Sequence, residues 1–216
     1  GDVDFSPLAR ALYSADASIY RRIPLGVVYP RHTDDIAATV EICREAGVGI
    51  TMRGGGTSCG GQALGTGVVV DTSRYFNRIL SVDPEARRAV VEPGVVLDTL
   101  RTAVAQHGLT FGPDPSTHNR CTLGGMIGNN ACGSHSVAWG TTADNITALH
   151  VVTADGRHRT VTATQITTPD GLPDHALMDG LDAVAAHALA PIRTELGRYR
   201  RQVSGYPLQH LLPERR

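Results

Sequence analysis

Ten consecutive residues, Arg53-Gly54-Gly55-Gly56-Thr57-Ser58-Cys59-Gly60-Gly61-Gln62, have the types and spacing of a loop that binds a charged group. Glycine offers no side chain to a core and loses the most backbone entropy when it is ordered, so a run this rich in it is not there to pack. Such a run can turn consecutive main-chain N–H groups into one concave surface, which is an anion site. Thr57 and Ser58 add hydroxyl donors, and Arg53 adds a fixed positive charge suited to phosphate oxygens. Together they predict a diphosphate as the guest.

The better-known phosphate loops do not fit. A P-loop needs a lysine that reaches the outer phosphates, and the chain contains no lysine: all 20 of its Lys and Arg residues are arginine. A Rossmann turn needs a third glycine where Cys59 stands. Gly56-Thr57-Ser58-Cys59-Gly60 does match the letters of a nucleophile elbow, which makes a serine hydrolase using Ser58 an alternative. That elbow opens a helix, however, and Gly60, Gly61, Gly65 and Gly67 oppose one.

A second glycine-rich region runs from Phe111 to His135. Pro113 and Pro115 fix φ and remove donors, so Pro113, Asp114, Pro115, Ser116 and Thr117 read as a rigid, non-helical wall. Further on, Gly124, Gly125 and Gly128 allow a flat ligand to lie against the backbone. Asn129, Asn130, Gly133 and Ser134 follow, and the two amides present donors and acceptors to such a ring. A loop this long without structure of its own is uncommon unless it is functional. His118 and His135 adjoin the region, but the sequence places no carboxylate beside either, so both read as loop residues. His32, His107, His150, His158, His175, His187 and His210 lack metal-ligand spacing. Cys43, Cys59, Cys121 and Cys132 are scattered without a C-x-x-C pair, so no zinc or iron–sulfur site is encoded here. No catalytic residue and no metal ligand is assigned.

The elements that must position these loops follow from periodicity and punctuation. Val27-Val28-Tyr29 reads as a strand. Thr33 or Asp34 caps a helix whose apolar positions include Ile36, Val40 and Cys43, and Gly47 ends it. A strand over Val48–Met52 leads into the first glycine loop, and Val68–Asp71 is the next strand, which makes a βαβ unit with the anion loop at a strand's carboxyl end. Ile79–Asp83 and Arg88–Glu92 form a hairpin. A helix with Val96, Leu97, Leu100 and Val104 on its apolar face stops at Gly108. Residues 145–153 and 159–161 make a second hairpin through Ala154-Asp155-Gly156. Residues 174–202 read as helix broken at Pro191, with an arginine-rich end. A short helix over Pro7–Tyr13 opens the chain. The apolar residues of Gly205–Pro213 have no later element to cover them, so the chain is expected to be cut short.

At 216 residues with a formal charge of −1, the chain is large enough for a core and shows no electrostatic pull toward nucleic acid or acidic membrane. Aromatic residues at 5% are too few for a base-stacking platform. No signal peptide is visible and no apolar run approaches transmembrane length. The reading is cytoplasmic, with the periphery of the inner membrane as an alternative.

Two glycine loops, each in its own lobe, resemble the FAD-binding PCMH-type domain of the vanillyl-alcohol oxidase family. Arg53–Gln62, Pro113–Thr117 and Cys121–Gly125 are similar to the branch of FAD-linked D-lactate and D-2-hydroxyglutarate dehydrogenases. Gly128–Ser136 with Trp139–Asn145 resembles a bacterial subgroup fused to a C-terminal iron–sulfur module. The resemblance implies an α+β, two-lobed fold with a βαβ first lobe over 1–84 and an incomplete second lobe over 85–216. The substrate-cap domain would lie outside this chain. It implies oxidation of a D-2-hydroxy acid by hydride transfer to FAD, with electrons passing to an acceptor through the iron–sulfur module. Arg53 to Cys59, with Gln62, would hold the pyrophosphate. Pro113 to Thr117 and Thr122 to Gly125 would line the ribityl chain and flavin, with Asn129, Asn130, Gly133 and Ser134 nearby, and Ile146 and Val151 would lie toward the adenosine end. Thr57 stands where some relatives carry a flavin-linking histidine, so FAD is expected to be non-covalent; Cys121 or Cys132 as an anchor is a minor alternative. The catalytic base and the arginine clamp come largely from the cap in relatives, so this chain alone is expected to be inactive and poorly loaded with FAD. A binding module without activity of its own is the other reading.

Overall fold

The computed structural model describes residues 1–196, 198, 206–212 and 214. Two compact units emerge: Gly1–Asn145 with Ala154–Gly156, and Ile146–Thr153 with Arg157–Arg216.

The first unit is built on a four-stranded sheet of β1 (Asp2–Asp4), β2 (Gly26–Tyr29), β3 (Ile50–Arg53) and β4 (Val68–Asp71), in the order β1-β2-β4-β3. β2 and β3 both run parallel to β4, and β1 is antiparallel to β2. Val27 and Val69 in the two central strands are fully buried, as expected of parallel strands covered on both faces. α1 (Pro7–Leu12) precedes β2 and takes its cap from Ser6, whose Oγ accepts the Ala9 N–H. α2 (Thr33–Glu45) carries the chain from β2 to β3 and ends before Gly47, which has φ +65.

The expected βαβ unit is therefore present, with β4 inserted between its two strands. The cap of α2 lies one residue earlier than expected, at His32, because the Asp35 carboxylate accepts the His32 N–H at 3.1 Å. β1 is a strand that the sequence did not announce. The insertion of β4 sets Arg53 opposite Asp71 at the carboxyl ends of adjacent parallel strands, and the first glycine loop departs from that edge.

Beyond the sheet, β5 (Ile79–Asp83) and β6 (Arg88–Val91) form the expected hairpin, and α3 (Leu97–Ala105) runs to a left-handed Gly108. Leu97, Leu100 and Val104 bury the predicted face of α3 against Val95, Cys121, Leu123 and Met126. The last two belong to α4 (Leu123–Gly128), a short helix inside the segment read as irregular. Thr122 caps it by accepting the Gly125 N–H at 3.3 Å. α5 (Ser136–Trp139) follows in the same segment.

In the second unit, β7 (Ala148–Val152), β8 (His158–Thr162) and β9 (Ile166–Thr167) form an antiparallel sheet, with the expected hairpin joining β7 and β8. α6 (His175–His187) and α7 (Leu189–Glu195) come after it. Asp174 caps α6 and accepts from the buried Arg159 Nε at 2.7 Å, which ties β8 to that helix. The hydrogen bond from Arg159 holds the Asp174 carboxyl below the usual carboxylate range. The helix break falls at Ala188, not at Pro191, which lies in the first turn of α7. Helical N–H groups are unpaired in a first turn, so proline is tolerated there. Most of the arginine-rich stretch, residues 199–202, lies outside the described residues, as do Gly205 and Pro213. Leu212, in the final apolar stretch, is buried.

Candidate functional site

The first glycine loop leaves β3 at Gly54 and returns to β4 at Val68. Among the described residues, the main-chain N–H groups of Gly54, Gly55, Gly56, Thr57, Ser58 and Cys59 meet no acceptor. Gly56 has φ +62, a left-handed conformation that glycine adopts without strain. Gly60 and Gln62 donate their N–H groups to Ser58 Oγ, each at 3.3 Å, and that hydroxyl in turn donates to Gln62 Oε1. The far side of the loop is thus closed on itself, while six consecutive donors before it stay open. Consecutive unpaired main-chain donors, with no carboxylate within residues 54–62, suit an anion.

Arg53, at the start of the loop, is held by main-chain carbonyls. Its guanidinium donates to Ala15 O at 2.9 Å and to Ala63 O at 3.3 Å. Ser58 is not a nucleophile elbow: turns follow it where a helix is required, and among the described residues no histidine is bonded to its hydroxyl.

The two glycine segments meet. A Cβ at Gly54 would overlap the Thr122 hydroxyl, and one at Gly55 would overlap the main-chain oxygen of Arg120. Gly54 is required by the Thr122 side chain and Gly55 by the Arg120 main chain, so Thr122, at the N-cap of α4, stands directly against the first glycine loop. Thr122 and Leu123 are themselves buried. Gly124 is packed against Pro93, and Gly125 lies over Thr122 Oγ1.

A second cluster joins the proline wall to the end of the same region. Pro113 is buried, and its carbonyl accepts from Arg101 at 3.1 Å. Asp114 Oδ1 accepts the His135 N–H at 2.9 Å, and Oδ2 accepts from Ser134 Oγ at 3.0 Å and lies 2.7 Å from His135 Nδ1. The His135 N–H is the main reason the Asp114 carboxyl sits below its usual range, with the Ser134 hydroxyl adding to it. Gly133 approaches the Asp114 main chain too closely for any side chain. The His135 ring lies 4.9 Å from the Trp139 ring, centre to centre. His118 likewise has a carboxylate, Asp98, 2.7 Å from Nδ1. Both histidines therefore have the acidic partner that the sequence did not place.

Pro115 and Thr117 turn the chain through main-chain bonds to His118, Arg120 and Cys121, and Ser116 is exposed beside them. Asn130, left-handed at φ 44, accepts the Ala143 N–H at 2.9 Å, and Asn129 caps the end of α4. Ile146 and Val151 belong to the second unit. Cys121 is 5% exposed and burial pushes its thiol up, so it is poorly suited to a covalent link. Among the described residues no group of three His, Cys, Asp or Glu side chains could hold a metal ion. Four residues at the base of the loop escaped the sequence reading: Tyr13, Ala15, Ala17 and Asp71. The Asp-x-Ser turn of residues 16–18, where Ser18 N–H donates to Asp16 Oδ1, was the one local signal of a structured segment there.

The family described as "FAD binding domain" matches residues 24–162. D-2-hydroxyglutarate dehydrogenase of Pseudomonas putida is 41% identical over 159 residues, covering 72% of this chain and 16% of the relative. D-lactate dehydrogenase of Archaeoglobus fulgidus is 37% identical over 133 residues, covering 61% of this chain and 29% of the relative. The chain therefore spans less than a third of either relative. Among solved structures, 6-hydroxy-D-nicotine oxidase of Arthrobacter nicotinovorans superposes with a TM-score of 0.66 at 24% identity, over 75% of this chain and 36% of that one. At that identity the likeness concerns the fold.

Proposed function

This chain belongs to the FAD binding domain family, and from that premise we propose that it is the FAD-binding portion of a flavin-dependent oxidoreductase acting on a D-2-hydroxy acid. The resemblance read from the two glycine segments is borne out in family and fold. The observation that carries the reading is the row of six open N–H groups at residues 54–59, with Thr122 of the second segment packed against its start. The substrate class rests on the names of the relatives, D-2-hydroxyglutarate and D-lactate dehydrogenases.

In this reading Gly54 to Cys59 bind the diphosphate of FAD through main-chain N–H groups, with the Thr57 hydroxyl and Gln62 at the rim. The wall Pro113–Thr117, with Thr122 to Gly125, borders the flavin half, and Asn129, Asn130, Gly133 and Ser134 complete that border. The first lobe, residues 1–84, supplies the diphosphate loop, and the region after it supplies the flavin wall. Bound FAD supplies a two-electron acceptor for the hydrogen on the substrate's alcohol carbon. This chain's residues supply binding and orientation: rigid prolines, a capped helix and a carboxylate network that fixes Ser134 and His135. Electrons leave through an iron–sulfur module or partner outside the chain. No helix among the described residues is long and apolar enough to cross a membrane, and the proposed location is the cytoplasm or the periphery of the inner membrane.

Anaerobic mixing of the full-length, FAD-loaded protein with D-2-hydroxyglutarate or D-lactate tests this proposal. Bleaching of the visible flavin band supports it. Bound flavin that stays oxidised with every D-2-hydroxy acid favours the binding-module reading, and a protein that takes up no flavin refutes both.

A further inference from the structure

The segment before residue 24 lies upstream of the family match, yet its Ala15 and Ala17 bond to Arg53 and Gly56 at the start of the diphosphate loop. Arg53 stands at the loop's entry, and Ala63 follows the glycine run. The Arg53 guanidinium bonds the carbonyl of Ala63 at 3.3 Å and that of Ala15 at 2.9 Å. Its central carbon lies 5.1 Å from the centre of the Tyr13 ring. Tyr13 in turn donates its hydroxyl to Asp71 Oδ2 at 2.5 Å, and Asp71 Oδ1 accepts the N–H and hydroxyl of Ser73 at 2.7 and 2.6 Å. Asp71 is buried and faces Arg53 across the β3–β4 ladder. Ala17 donates its N–H to Gly56 O at 3.0 Å, and a Cβ on Gly56 would press on the Arg53 guanidinium.

We propose that Tyr13, Arg53 and Asp71 form a positioning clamp that holds the N–H groups of residues 54–59 in their anion-binding arrangement, and that Arg53 serves the diphosphate through the loop's shape, not by touching phosphate. The proposal rests on the FAD reading for its ligand but not for its geometry. A guanidinium presents its donors in a rigid planar fork, so one side chain can tie two carbonyls and still lie against an aromatic ring. An ammonium has neither the fork nor the plane. Burial, with the bond to Asp71 next, pushes the Tyr13 hydroxyl above its ordinary value. The clamp fixes the two ends of the loop and the Gly56 carbonyl, and the six N–H groups between them stay available. Residues 13–17 thereby belong to the cofactor site, although they lie outside the matched family region.

Arg53→Lys, Arg53→Met and Tyr13→Phe separate this from direct phosphate contact. The first measurement needs no ligand: amide chemical shifts and 15N relaxation of residues 54–59. The clamp predicts that Arg53→Lys and Tyr13→Phe both move these signals and raise their mobility, while signals from the second unit stay in place. The second is titration with FAD and with ADP. Arg53→Lys and Arg53→Met should lose affinity alike, by about tenfold or more, the size of one charge-assisted contact. Should Arg53→Lys keep the parent affinity while Arg53→Met loses it, charge at the phosphate is what matters and the clamp is overturned. Unchanged relaxation in both Arg53→Lys and Tyr13→Phe overturns it as well. Tyr13→Phe removes one hydroxyl and carries the test if the arginine variants fail to fold. A full-length parent protein that ignores FAD and ADP sinks the functional reading, and the loop's response to the variants still decides the clamp.

Discussion

Gly54→Ala should destabilise the protein in a way that a second substitution, Thr122→Ala, partly repairs. An ideal Cβ on Gly54 falls on the Thr122 hydroxyl and lies 3.1 Å from Thr122 Cβ and 3.3 Å from Cγ2. Rotating Thr122 away exchanges one close atom for another and breaks its bond to the Gly125 N–H, which caps α4. Overpacking of this kind costs about 1–3 kcal/mol. Thr122→Ala alone removes the cap and should cost about 1 kcal/mol. In the double variant the hydroxyl and methyl are gone, the clash is largely relieved, and the two losses should fall short of their sum by about 1 kcal/mol or more. Gly55→Ala is the control: its Cβ meets the Arg120 main-chain oxygen, so Thr122→Ala should not rescue it. Urea unfolding of the four proteins in each cycle gives these differences. Additivity within about 0.5 kcal/mol in the Gly54 cycle would show that the loop and the start of α4 do not touch as described.

Gly56→Asp should abolish FAD binding, since it forces a side chain onto a φ of +62 and sets a carboxylate among the open N–H groups; unchanged affinity in a titration refutes the diphosphate assignment. Asp114 has a folded-state pKa below its ordinary 3.8, so its contribution to stability is present above that value and is lost as pH falls through the lower folded value. Asp114→Asn should therefore melt earlier than the parent at neutral pH and converge with it as the pH falls through the lowered folded-state value, and parallel curves throughout would contradict this. Gly180, inside α6 with nothing within 4 Å of an added methyl, is open to alanine, and Gly180→Ala should stabilise the protein by about 0.5–1 kcal/mol in the same unfolding assay. A fluorophosphonate probe should leave Ser58 unlabelled, and labelling there would revive the hydrolase.

Features carried by local pattern were legible in the chain. The apolar spacing of Ile36, Val40 and Cys43, the stop at Gly47 and the run Val68-Val69-Val70 define the βαβ unit without tertiary help. α4 was harder, because Gly124, Gly125 and Gly128 lower helix propensity. The burial of Leu123 and Met126, three residues apart, and the Thr122 cap outweigh it. The polar partners were not legible, since they join residues far apart in sequence. Ala15 and Arg53 are separated by 38 positions, Tyr13 and Asp71 by 58, and Asp114 and His135 by 21. The sequence shows Arg53 beside the glycine loop but not the Ala15 and Ala63 carbonyls that engage it. The need for glycine at 54 and 55 has a source that the sequence hides: the Thr122 side chain lies against the first and the Arg120 main-chain oxygen against the second.

The claim that residues 54–59 receive a diphosphate is tested most directly by amide spectra of the isotope-labelled protein during titration with FAD, with ADP and with riboflavin. FAD and ADP should both produce their largest amide shifts at residues 54–59, and riboflavin, which lacks phosphate, should leave those signals in place. Binding of FAD that spares these six amides, or shifts there of equal size with riboflavin, would contradict the account.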